Sequence, residues 1–137
     1  MTLILSKKYN PLFESKARYF IITGGRGSGK SFAVTVFLTL LTMSRGIRVL
    51  FTRFTMTSAH LSIIPEFLEK IGLLGFDETF NINKSEVVNA KNKSDILFRG
   101  IKTSAGNQTA SLKSLQGIST WVLDEAEELV DENIFDT

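Results

Sequence analysis

The chain has 137 residues, 43% of them hydrophobic and 22% charged, enough for one compact domain with a core and too few for a second. It contains no cysteine, which excludes disulfides and thiolate metal sites, and residues 1–8 are apolar too briefly to form a secretory signal. The formal net charge of +2 conceals an imbalance: residues 1–70 carry ten Lys and Arg against three Asp and Glu, and residues 71–137 carry six against eleven. A basic half suits phosphate-bearing ligands, although most of its lysines read as solvated surface charge.

Residues 1–17 are an irregular lead-in with Asn10-Pro11 as a turn signal, in which Tyr9, Leu12 and Phe13 are expected to pack on the domain rather than flank a base. The apolar run at residues 18–23 then predicts a central parallel strand buried on both faces. It leads into Gly24-Gly25-Arg26-Gly27-Ser28-Gly29-Lys30-Ser31, a complete match to G-x-x-x-x-G-K-[ST]. The glycines let successive backbone N–H groups turn inward as an anion nest at the positive end of the helix that follows. Lys30 would then reach the β- and γ-phosphates of a nucleotide, and the Ser31 hydroxyl would ligate Mg²⁺. A glycine-rich turn that matches by accident is the bland alternative, and the strand-then-helix context disfavours it.

Residues 32–43 are apolar nearly all round, interrupted only by Thr35, Thr39 and Thr42, and their length and position predict a buried helix. With those threonines and Arg45 breaking the run, it is too short to span a bilayer. Gly46 marks its stop, and residues 47–52 predict the next strand. A second helix is expected over residues 58–71, with Ser58 as N-cap, Pro65 as a kink or restart, and the single histidine, His60, on its surface. Three short strands follow at residues 79–82, 86–89 and 95–99, the last two joined as a hairpin by a polar connection. Residues 102–116 read as a loop with a short helix at 112–115.

Thr120-Trp121-Val122-Leu123-Asp124-Glu125 predicts a buried strand ending in two carboxylates. At the carboxyl edge of a parallel sheet these acids would face whatever the glycine loop holds. There Asp124 could hold Mg²⁺, directly or through a water, while Glu125 orients and deprotonates an attacking water. A strand running into an acidic helix start produces the same pattern without chemistry, and only the phosphate loop upstream makes the pair informative. The tail from Ala126 continues as an acidic amphipathic helix, in which Glu127 and Glu128 belong to a solvated face.

Together these phrases resemble the large subunit of tailed-bacteriophage terminases, the ATP-driven DNA packaging motors. The likeness rests on residues 18–23 running into the glycine loop, on Phe51-Thr52-Arg53 before a Ser-rich helix containing Ile63-Ile64-Pro65-Glu66-Phe67, and on Ile96-Leu97-Phe98-Arg99-Gly100. It extends through Leu112-Lys113-Ser114-Leu115-Gln116-Gly117 to the Asp-Glu strand, and so from Arg18 onward.

The resemblance implies an α/β, three-layer P-loop NTPase of the additional-strand class with a mostly parallel sheet, incomplete on its C-terminal side. Residues 1–17 would be the lead-in and 18–137 the core through the Asp-Glu strand, with the C-terminal nuclease absent. It implies ATP and Mg²⁺ as cofactors, and double-stranded DNA, a portal protein and a small terminase subunit as partners. A homo-oligomeric ring when full length, no membrane, and a place in the host cytoplasm at the procapsid portal also follow. Arg26 matches an arginine of the phosphate loop that responds to the γ-phosphate, giving Lys30, Glu125 and Arg26 as catalytic residues and Ser31 and Asp124 as metal ligands. Arg53 is expected at the surface, or against a phosphate across a subunit boundary.

No glutamine precedes Gly24, so the adenine-reading residue of some relatives has no counterpart. The chain is expected to be an N-terminal piece whose Asp-Glu strand lacks a neighbour, and which binds and hydrolyses ATP weakly alone. A helicase-like nucleic-acid-dependent ATPase, or a catalytically silent interaction module, are the competing readings.

Overall fold

The computed structural model describes residues 6–25, 28–53, 59–83, 85–101 and 115–125. After a 3₁₀ turn at Lys7–Tyr9 and a one-turn helix α1, Pro11–Glu14, two long helices and five strands make up the body. The helices are α2, Lys30–Ser44, and α3, Ala59–Leu73; the strands are β1, Arg48–Arg53; β2, Phe80–Ile82; β3, Glu86–Asn89; β4, Asp95–Gly100; and β5, Thr120–Leu123. They form one sheet in the order β2-β3-β4-β1-β5. β1 is parallel to both β4 and β5, whereas β3 is antiparallel to β2 and β4, so β3 alone opposes the other four and the sheet is mostly parallel.

The β3–β4 pairing is the expected hairpin, with Val87 opposite Ile96. In β1 and β4 the period-two side chains Val49, Phe51, Ile96 and Phe98 join one core with Leu38 of α2 and Ile63, Ile64, Phe67 and Ile71 of α3. Its centre is aromatic. Phe67 stands edge-on to Phe51 at 6.0 Å and to Phe98 at 5.5 Å between ring centroids, and it is fully buried. Both long helices contribute to this one core.

Helix α2 tolerates its threonines because each is satisfied locally. Thr35, Thr39 and Thr42 are buried, and their hydroxyls donate to the carbonyls of Ser31, Thr35 and Thr39 respectively. Its far end is closed by the β3–β4 connection, where Asn92 Nδ2 donates to Thr42 O at 2.8 Å and Ser94 Oγ to Arg45 O at 2.8 Å. Helix α3 runs through Pro65, which lies on its exposed side, so the proline neither ends nor restarts it. His60 lies within this helix.

One predicted strand is absent. Residues 19–23 are not paired in the sheet, and Tyr19 is 78% and Ile21 93% exposed. Apolar character favours burial, but a strand also needs a neighbour for its backbone hydrogen bonds, and this segment donates none among the described residues although the outer edge of β5 is open there. The Asp-Glu strand is likewise not central. Expected to be buried, it forms the sheet edge as β5 among the described residues, none of its residues is buried, and Trp121 is 53% exposed, because only β1 flanks it. Ser58, the short helix at 112–115 apart from Leu115, and the acidic tail from Ala126 lie outside the described residues.

Candidate functional site

The parallel register brings three carboxyl ends together. Arg53 of β1 is opposite Gly100 of β4, Thr52 is opposite Leu123 of β5, and the next amide, Asp124 N, donates to Thr52 O at 2.9 Å. Asp124 and Glu125 therefore leave the sheet beside the end of β1, as expected for acids at a carboxyl edge.

The glycine loop meets this edge through α2, which begins at Lys30. Its N-cap, Gly29, has φ +79° and provides no side-chain cap, so the first-turn N–H groups are left without a side-chain cap acceptor. Such a terminus attracts anions through the helix dipole. Gly24 lies close under Ser28: a Cβ there would stand 2.7 Å from Ser28 Oγ, so a side chain would make the serine shift. Lys30 Nζ donates to Gly24 O at 3.3 Å, so the lysine is folded back over its own loop.

Lys30, Ser31 and Asp124 line one cavity, together with Val34, Thr35, Phe51 and Ile63. Its volume is about 20 Å³, enough for a water or a bare cation and too small for a triphosphate without movement of the loop. The residues lining it offer as oxygen donors the Ser31 and Thr35 hydroxyls and the Asp124 carboxylate, with the Lys30 ammonium beside them, which cannot ligate a metal. That donor set suits a hard cation such as Mg²⁺. Among the described residues no cluster of three or more His, Asp and Glu could hold a metal unaided, so a cation here would need oxygens from a ligand as well. Of the expected site residues, Gly24, Gly25, Ser28, Gly29, Lys30, Ser31, Asp124 and Glu125 are described; Arg26 and Gly27 lie outside the described residues.

Arg53 corrects the expectation of a surface residue. Its side chain is 10% exposed, and Nε donates to Asp124 Oδ2 at 2.7 Å while Nη2 lies 3.7 Å from Glu125 Oε1. Nothing local announces this pair, which joins residues 71 positions apart. Glu125 takes a left-handed backbone conformation, φ +53°, uncommon for a residue with a side chain. Tyr9 was expected to pack, and it does more. Its hydroxyl donates to Ser28 O at 2.9 Å, bracing the loop from the lead-in, and Phe13 packs edge-on against Phe37 of α2 at 5.2 Å. An aromatic near the start of the chain was the only signal available for that brace.

The family model of the phage terminase large subunit matches residues 16–137. The chain belongs to that family. In solved structures, the chain is similar to the large terminase from a thermophilic bacteriophage, at TM-score 0.60 and 12% identity over 88% of this chain and 39% of that one. The same phage's large terminase in complex with ADP gives TM-score 0.58 and 12% identity over 87% and 38% of the two chains. At that identity the likeness shows the fold, and this terminase chain spans about two fifths of the solved terminases' length. No curated protein matches the sequence.

Proposed function

We propose that the chain is the nucleotide-binding part of an ATP-driven motor subunit that moves double-stranded viral DNA into a capsid. The observation that carries the reading is the convergence of Lys30, Ser31 and Asp124 on one cavity at the uncapped start of α2. The family match favours packaging over the helicase-like alternative. The ADP complex of a similar terminase supports a nucleotide as the ligand.

In this reading the backbone N–H groups of residues 24–31 and the start of α2 cradle phosphate oxygens, and Lys30 exchanges the Gly24 carbonyl for them. Ser31 and Asp124 hold Mg²⁺ jointly with the ligand. When bound, the cation neutralises charge on the phosphate oxygens. Glu125 orients the attacking water and accepts its proton, and Arg26 responds to the γ-phosphate. Double-stranded DNA, a portal protein and a small subunit are the partners, a homo-oligomeric ring the assembly, and the procapsid portal in the host cytoplasm the place of action.

Calorimetric titration with a non-hydrolysable ATP analogue in Mg²⁺ tests the reading. Saturable heat is expected, and it should vanish in Lys30→Ala; absence of heat from the unsubstituted chain would instead support a silent interaction module. Glu125→Gln should retain binding and lose phosphate release. Full turnover by that variant removes Glu125 from its role.

A further inference from the structure

We infer that Arg53 is a positioning residue for the metal: its guanidinium fixes Asp124 and Glu125 so that a nucleotide and a divalent cation bind cooperatively. The inference rests on the nucleotide reading above and goes beyond it, since it assigns a role to a side chain outside both motifs.

Three observations carry it. Arg53 is the last residue of β1, a strand hydrogen-bonded on both sides by β4 and β5, so its backbone is held by the most supported part of the sheet. Its side chain is buried and its Nε donates to one oxygen of Asp124, Oδ2, at 2.7 Å, a short charge-assisted bond. Asp124 also lines the cavity with Lys30 and Ser31, and the Arg53 bond takes up Oδ2 rather than Oδ1. The same planar group reaches Glu125 at 3.7 Å.

The chemistry follows from these positions. Asp124 and Glu125 are adjacent carboxylates, and Glu125 is held in a left-handed conformation that the backbone does not favour. One guanidinium between them offsets their repulsion and fixes both directions, because its donors form a rigid fork. A lysine would keep the charge and lose the fork. A carboxylate whose second oxygen is hydrogen-bonded presents its first in one orientation, and loss of such a supporting partner typically weakens metal binding by roughly 10–100-fold.

The test separates metal coupling from folding and from nucleotide binding. The affinity of a non-hydrolysable ATP analogue is measured by calorimetry for the unsubstituted chain, Arg53→Gln and Arg53→Lys, each in Mg²⁺ and in EDTA. For the unsubstituted chain the affinity should rise on adding Mg²⁺. In Arg53→Gln that gain should shrink by roughly 10-fold or more, while affinity in EDTA stays within about 2-fold, because the phosphate loop is untouched. Arg53→Lys should recover only part of the gain.

A merely structural role would lower affinity in EDTA as much as in Mg²⁺, and that result overturns the inference. So does an unchanged gain in Arg53→Gln or, should that variant fail to fold, a full gain in Arg53→Lys. If the unsubstituted chain binds no analogue in either buffer, the nucleotide reading falls and this inference with it. Binding by the unsubstituted chain with an unaltered metal gain in the variants sinks this inference alone.

Discussion

Single side chains reach the phosphate loop from outside its motif, and Tyr9 shows how. The tyrosine is buried, contributes its ring to the space under Gly29, 3.8 Å from where a Cβ would stand, and donates its hydroxyl to Ser28 O at 2.9 Å. Removing only that hydroxyl leaves the ring packing and orphans one carbonyl acceptor, so Tyr9→Phe should destabilise the loop by about 0.5–1.5 kcal/mol. Because the loop rather than the sheet is affected, the loss should appear as a several-fold weaker affinity for a non-hydrolysable ATP analogue, with a small shift in melting temperature. An unchanged affinity would reduce Tyr9 to a packing residue. Gly29 is less tolerant. At φ +79° a side chain is strained whatever space surrounds it, which explains why this position needs glycine while the neighbouring Lys30 does not.

At the level of elements, an aromatic cluster joins the sheet to helix α3 at the centre of the core. Phe67 of α3 meets Phe51 of β1 and Phe98 of β4, and those two rings are 5.5 Å apart, so the cluster ties a helix to two parallel strands. Phe67→Ala should therefore cost about 3–5 kcal/mol, measured by denaturant unfolding, since the cavity opens where three elements meet and none can collapse alone. A loss below about 1 kcal/mol would mean that the core repacks around the gap. The strands and helices of this layer were legible because their signals are local: short apolar runs at 47–52 and 95–99, a long apolar segment behind Lys30-Ser31, and a polar turn between β3 and β4. The error at residues 18–23 has the same origin. A run of Tyr, Phe and Ile encodes a wish for burial, but not which strand will accept its hydrogen bonds, and pairing is decided by elements far away in the chain. The candidate site divides in the same way. Lys30, Ser31 and Asp124 were legible from spacing, whereas the Arg53 pair and the Tyr9 brace depend on contacts across 71 and 19 positions.

Across the whole molecule, the phosphate loop and the sheet are connected unequally. The loop is held by α2 on one side and by Tyr9 beneath, while the segment before it, residues 19–25, contributes no backbone N–H to a hydrogen bond among the described residues. Strand β1 is hydrogen-bonded to two neighbours along its length. Opening free energies should differ accordingly, from near zero in the segment to the global value in β1. Hydrogen exchange is therefore expected to be fast at residues 19–25 and slow at 48–53 and 95–100 in the ligand-free chain. Ligand binding changes the balance, because a nucleotide that engages the loop stabilises every folded conformation that presents it. At a ligand concentration of 100 times Kd the gain should be about 2.7 kcal/mol, seen as a higher melting temperature and slower exchange at residues 24–31. Lys30→Ala should remove both effects while leaving the protection of β1 and β4 intact, because the hydrogen bond that the lysine gives up is to its own loop, at Gly24 O, and the sheet keeps its ladder bonds. Strong protection of residues 19–23 without ligand would show that this segment is paired in solution, and the unequal connection argued from the fold would be wrong.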